Sequence, residues 1–144
     1  MNRAAAGLTL LACAPLVLTG CGGPSHGAFV KKADAICSAF ASGAGTLPKP
    51  TKYTQVVAYV DRNLPLYEAA LRKLAALNPA AQDKAAVAQW LAADRRVATA
   101  LHALGQAALR HNLPAVTSAA EQVRAAGLAS SEAADAIGLT VCGR

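Results

Sequence analysis

Between Tyr53 and Leu74 the side chains Tyr53, Val57, Val60, Leu64, Tyr67, Leu71 and Leu74 return at alternating steps of four and three. That period fits one face of an α-helix and excludes a strand, whose faces alternate every second residue. Three further segments repeat it. Phe29, Ala33, Ile36 and Phe40 mark a first helix, with Lys31, Lys32 and Asp34 turned away from its apolar side. Val87, Trp90, Asp94, Val97, Leu101, Leu104 and Ala108 form the seam of a third helix, predicted from about Pro79 to Arg110. Val116, Ala120, Val123, Gly127, Ser130, Ala134 and Ile137 form the stripe of a fourth, narrow enough for close approach to a neighbour. Alanine dominates these segments and aromatic residues are only 4% of the chain. Alanine loses no side-chain entropy in a helix, but it builds a thin core.

Breakers divide the four segments. Gly43, Gly45, Pro48 and Pro50 end the first helix. Pro65 lies inside the second, where it removes a backbone donor and clashes one turn back, so a kink or short break near Asp61–Leu64 is expected. Asn78-Pro79 is predicted to cap and begin the third helix. His111-Asn112-Leu113-Pro114 reverses the chain, and Gly138 stops the fourth helix. Short connections favour antiparallel neighbours, so the expected fold is all-α: an antiparallel four-helix bundle in one domain.

At the N-terminus, Met1-Asn2-Arg3 precedes an apolar run that closes on Leu18-Thr19-Gly20-Cys21. This resembles the signal and lipobox of bacterial lipoprotein precursors. The run is too short to span a bilayer, which needs ~20 apolar residues, and Pro15 interrupts it. The resemblance implies removal of residues 1–20, acylation of Cys21 with diacylglyceryl and palmitate-type chains, and a cell-membrane location facing away from the cytoplasm. Residues 21–27 are then a short tether and residues 28–144 the helical domain. The six residues from Gly22 to Gly27 reach at most ~20 Å, which keeps that domain near the headgroups.

Removal of the signal takes Arg3 from the 14 Lys and Arg and leaves the 8 Asp and Glu, lowering the formal charge from +6 to +5. The cations are scattered as Lys31-Lys32, Arg72-Lys73 and Arg95-Arg96, without interleaved aromatic residues, and this argues against nucleic acid as a partner. Cys13 leaves with the signal and Cys21 carries lipid, so Cys37 and Cys142 remain. In an exported chain such a pair is most simply a disulfide; metal or redox use is the alternative, and no CxxC spacing supports it.

Ala33-Asp34-Ala35-Ile36-Cys37, the tryptophan central to helix three, and Gly138-Leu139-Thr140-Val141-Cys142 together resemble uncharacterised actinobacterial secreted proteins and lipoproteins. The resemblance spans about residues 28–143 and implies a bundle closed by Cys37–Cys142. It implies no activity and no catalytic residues.

No phosphate-cradling loop, HExxH helix or GxSxG turn occurs in the sequence. His26, His102 and His111 lack metal-ligand spacing, so neither a metal nor a cofactor is expected. Asp94 stands out because it occupies the seam phase between Trp90 and Val97. A carboxylate there needs donors, for which Tyr67, Tyr53, Arg95 and Arg96 are available. One reading makes it a satisfied polar core group. The other makes it the anchor of a small pocket with Trp90 and Tyr67, beside the Pro65 kink, for a cationic or hydroxyl-bearing ligand. The sequence thus points to a non-enzymatic envelope lipoprotein that meets an envelope protein or cell-wall component, with a small-molecule or lipid carrier as the alternative.

Overall fold

The computed structural model describes residues 24–144; the signal segment, Cys21 and its two following glycines lie outside the described residues. Four helices follow in order: α1 (His26–Gly45), α2 (Val56–Ala75), α3 (Lys84–Leu109) and α4 (Leu113–Ala136). Short 3₁₀ turns at Tyr53–Gln55 and Ala81–Asp83 precede α2 and α3. Helix α3 packs against both α2 and α4, and α2 against α1. The pairing is antiparallel. Val60 lies against Gly105 at one level of α2 and α3, and Tyr67 meets Asp94 at another, while Phe40 of α1 stacks edge-on against Tyr67 with ring centroids 5.3 Å apart. The chain is therefore the all-helical four-helix bundle its periodicity predicts. No helix among the described residues is long and apolar enough to cross a membrane.

Three local expectations fail. Gly43 and Gly45 do not interrupt α1 but sit in its last turn, and the Thr46 hydroxyl donates to the Gly43 carbonyl at 2.7 Å beyond them. Of the kink or short break expected near Asp61–Leu64, the break does not occur: α2 is helical on both sides of Pro65, with Val60, Asn63 and Leu74 buried along it. Tertiary packing of that face outweighs the single lost hydrogen bond. Asn78-Pro79 does not cap α3, whose helical residues begin at Lys84. Ala80 is extended and buried, and the Asp83 amide bonds to its carbonyl at 2.9 Å, so the chain makes a 3₁₀ turn before entering the helix.

The helix ends are chemically explicit. Ser25 caps α1 by accepting the Ala28 amide at 3.2 Å, so the helix begins within the segment read as tether. At the α3 end, His111 adopts φ 53° and its amide bonds to Ala108, while the Asn112 amide bonds to Ala107. This double closure satisfies the last carbonyls, and the Asn112 side chain then caps α4 through the Ala115 amide. Helix α4 ends by the same pattern at Gly138, φ 82°, with Leu139 bonded back to Ala134. The positive φ explains the glycine, since a Cβ is disfavoured there.

Beyond Gly138 the tail folds onto α1. Leu139 is fully buried and Cys142 forms a disulfide with Cys37, their Cα atoms 5.3 Å apart. The main core gathers here: Phe29, Ala33, Leu74, Val87, Trp90, Leu91, Ala134, Ile137 and Leu139. The opposite half packs mostly with Val97, Ala100, Leu101, Ala107, Ala108 and Ala119. On α4 it is Ala119 rather than the predicted Ala120 that is buried, while Ser130, Ala134 and Ile137 are buried at their predicted positions.

Candidate functional site

Asp94 lies where the large-residue core gives way to the alanine-rich half, and it is only 7% exposed. The Tyr67 hydroxyl donates to its Oδ1 at 2.7 Å and the Ser130 hydroxyl donates to the same oxygen at 2.5 Å. Helices α2 and α4 are thereby tied through α3. The donors proposed from sequence separate accordingly: Tyr67 serves Asp94, whereas Tyr53 donates to the Ala108 carbonyl at 2.9 Å, and Arg95 and Arg96 are exposed. In the sequence Ser130 is only a small residue of the α4 stripe. Its role could have been found by pairing the polar position of one seam with the polar position of the facing one.

Both hydrogen bonds fall on Oδ1, and Oδ2 takes none from the described residues. Burial raises the Asp94 carboxyl above the usual carboxylate range, against the opposing pull of Ser130 and Tyr67. The Tyr67 hydroxyl is raised far beyond the ordinary tyrosine range, first by burial and then by the charge and hydrogen bond of Asp94.

Asp94 lines a cleft of about 220 Å³ to which every helix contributes. Phe40 and Ala41 come from α1, Tyr67 and Leu71 from α2, Trp90 and Asp94 from α3, and Gly127 and Ser130 from α4; Arg144 stands at its edge. The cleft exists because α1 and α4, unlike the other neighbouring helices, are not closely packed along their lengths. The tail and the Cys37–Cys142 bridge close that side. The sequence-predicted trio Trp90, Asp94 and Tyr67 therefore shares one cleft, but Pro65 is not part of it. Pro65 borders a separate hollow with Val60, Leu64, His102 and Gly105. Trp90 is 1% exposed, and its indole N–H finds no acceptor among the described residues, a cost of about 1–3 kcal/mol borne by the packing of the ring.

A second polar centre was misread in the sequence. Asp34, predicted to face away from the bundle, accepts the Thr140 amide at 3.0 Å, the Thr140 hydroxyl at 2.8 Å, the Val141 amide at 2.9 Å and the Cys142 amide at 3.3 Å. Burial would raise its carboxyl, but the bonds from Val141, Thr140 and Cys142 outweigh that and hold it below the usual value. The histidines are dispersed. His26 pairs with Asp83 at 2.9 Å, His102 lies by Pro65, and His111 sits at the α3 turn near Tyr53. Among the described residues no group of His, Cys, Asp and Glu is arranged to hold a metal ion.

Fold and site together define a disulfide-closed helical bundle with one buried carboxylate opening on an aromatic-lined cleft. The chain matches no family model, no curated protein and no solved structure.

Proposed function

We propose that this chain is a lipid-anchored protein on the outer side of a cell membrane, whose work is recognition rather than catalysis. The observation that carries this reading is the Cys37–Cys142 disulfide, since such bonds persist in oxidising compartments. It agrees with the Leu18-Thr19-Gly20-Cys21 lipobox, which supplies both export and attachment. Two or three acyl chains hold a protein to a bilayer essentially permanently, at about 0.8 kcal/mol per buried methylene, and the bundle then works close to the headgroups. Its partner is an envelope protein or cell-wall component. Metabolic labelling with a palmitate analogue, followed by membrane fractionation, tests the anchor: wild-type chain should be labelled and sediment with membranes, and Cys21→Ser should lose both properties. An unlabelled wild-type chain would overturn the proposal. Crosslinking in intact envelopes then identifies the partner.

The cleft supports a second reading, a carrier or receptor for a small molecule. Its volume of about 220 Å³ suits a compact ligand, smaller than the drug-sized occupants of most pockets. Native mass spectrometry of the protein extracted from its own membrane tests it, because a bound ligand adds a discrete non-protein mass.

A further inference from the structure

The cleft around Asp94 brings together a carboxylate and three aromatic rings, with Ser130, Ser131 and Arg144 as its other polar side chains. Phe40, Tyr67 and Trp90 line it alongside Asp94, with Ala41, Ala70, Leu71 and Val97 supplying aliphatic surface. Tyr67 and Ser130 fix the carboxylate through Oδ1 and leave Oδ2 without a donor among the described residues. We propose that this cleft binds a small organic ammonium compound, its cationic group against Asp94 Oδ2 and its carbon atoms against the rings of Phe40, Tyr67 and Trp90. The proposal deepens the carrier reading and rests on it.

A buried carboxylate with an unused oxygen attracts a cation and would be left desolvated and unpaired by an apolar occupant. Among the described residues no lysine or arginine lies within ion-pair distance of a carboxylate, and the one histidine–carboxylate contact joins His26 and Asp83, so none of these side chains neutralises Asp94. Aromatic rings favour an alkylammonium, because the ring quadrupole attracts the charge while the methylenes or methyls gain apolar contact. A hard metal ion is disfavoured, since it takes six or more oxygen ligands and, among the described residues, Asp94 is the only acidic side chain lining the cleft. Arg144 lines the same cleft, so a carboxylate or phosphate at the far end of the ligand meets a cation rather than repulsion.

Trp90 is the only tryptophan in the chain and lines the cleft, so its emission reports occupancy directly. The experiment titrates the full chain, in non-ionic detergent, with choline, with ethanolamine, and with 3,3-dimethylbutan-1-ol, the uncharged isostere of choline. A saturable change with choline or ethanolamine and none with the neutral alcohol is expected. Asp94→Asn should weaken the response by about tenfold or more, the loss of one charge-assisted contact, while melting at the same temperature as wild type or higher. Should that variant fold poorly, Ala41→Leu, which fills the cleft from an exposed rim position, should weaken the same response. Absence of a saturable response to both amines, or an equal response to the alcohol, overturns the ammonium assignment. The titration does not depend on the lipid, so failure of the anchor test leaves it intact; an uncharged molecule retained in native mass spectrometry would sustain the carrier reading while sinking the ammonium proposal.

Discussion

The carboxylate of Asp34 accepts the backbone N–H of Cys142 at 3.3 Å, one helical turn before the cysteine to which Cys142 is bonded. A hydrogen-bonded clamp and a covalent bridge thus hold the same tail. Asp34→Asn replaces an acceptor with an NH₂ group facing backbone donors. The expected cost is about 1–3 kcal/mol, with faster amide exchange at Thr140–Cys142 and little change in α3. Because the folded carboxyl is held low, its contribution is present above the unfolded value of ~3.9 and lost as pH falls through the lower folded value. Exchange rates for the tail that do not respond to acid in this window would contradict the clamp.

Asp94 has the opposite sign. Its carboxyl is raised in the folded protein, chiefly by burial, so stability is fully present below the unfolded value of ~3.9 and declines as pH rises through the folded one. Asp94→Asn keeps an oxygen for Tyr67 and Ser130 but has no charge to desolvate. Its melting temperature relative to wild type should therefore climb with pH. Tyr67→Phe, which strips one donor from the buried group, should instead cost about 1–3 kcal/mol. Parallel pH profiles for wild type and Asp94→Asn would show that the carboxyl is not perturbed.

Two glycines on the packed helices should respond oppositely to alanine. A Cβ at Gly105 would stand 3.0 Å from Val60 Cγ1, whereas one at Gly127 meets nothing within 4 Å. Gly127→Ala should stabilise by up to about 1 kcal/mol through helix propensity alone. Gly105→Ala gains the same propensity but crowds the buried Val60 side chain, which must give way within the α2–α3 contact, for a net loss of about 1–3 kcal/mol. Thermal melts of the two variants decide it, and equal shifts would show that the α2–α3 contact is not tight.

Removing both cysteines of the bridge, as Cys37→Ser with Cys142→Ser, releases a span of 105 residues. The chain-entropy relation gives about 4–5 kcal/mol for a loop of that size, and measured losses run about 2–5 kcal/mol. Urea midpoints for oxidised and reduced wild type should differ by the same amount as oxidised wild type and the double variant. The emission of Trp90 should also report a looser cleft, since Cys37 and Cys142 line it.

The bundle was legible because the burial of Val87, Trp90, Asp94, Val97, Leu101 and Ala108 follows directly from their spacing. The same periodicity puts Asp94 inside and makes Tyr67 one of four candidate donors, of which the structure selects Tyr67. Asp34 escaped because its partners are backbone amides about a hundred residues away, and period alone assigns a polar residue beside lysines to the solvent side. Ser130 escaped because a stripe of small residues records steric fit and not which hydroxyl meets which carboxylate. The helix starts at Asn78-Pro79 and the break at Pro65 were misjudged because local preferences of about 1–3 kcal/mol yield to buried contacts made elsewhere on the same helix.

The three-residue turn between α3 and α4 has a consequence for how the chain reaches this fold. Contacts across that hairpin join segments close in sequence, so they cost little loop-closure entropy and are expected in the folding nucleus. Helix α1 docks across far longer loops and is expected late. Alanine-scanning changes along the hairpin should then slow folding, while loss of the Cys37–Cys142 link to α1 should chiefly hasten unfolding.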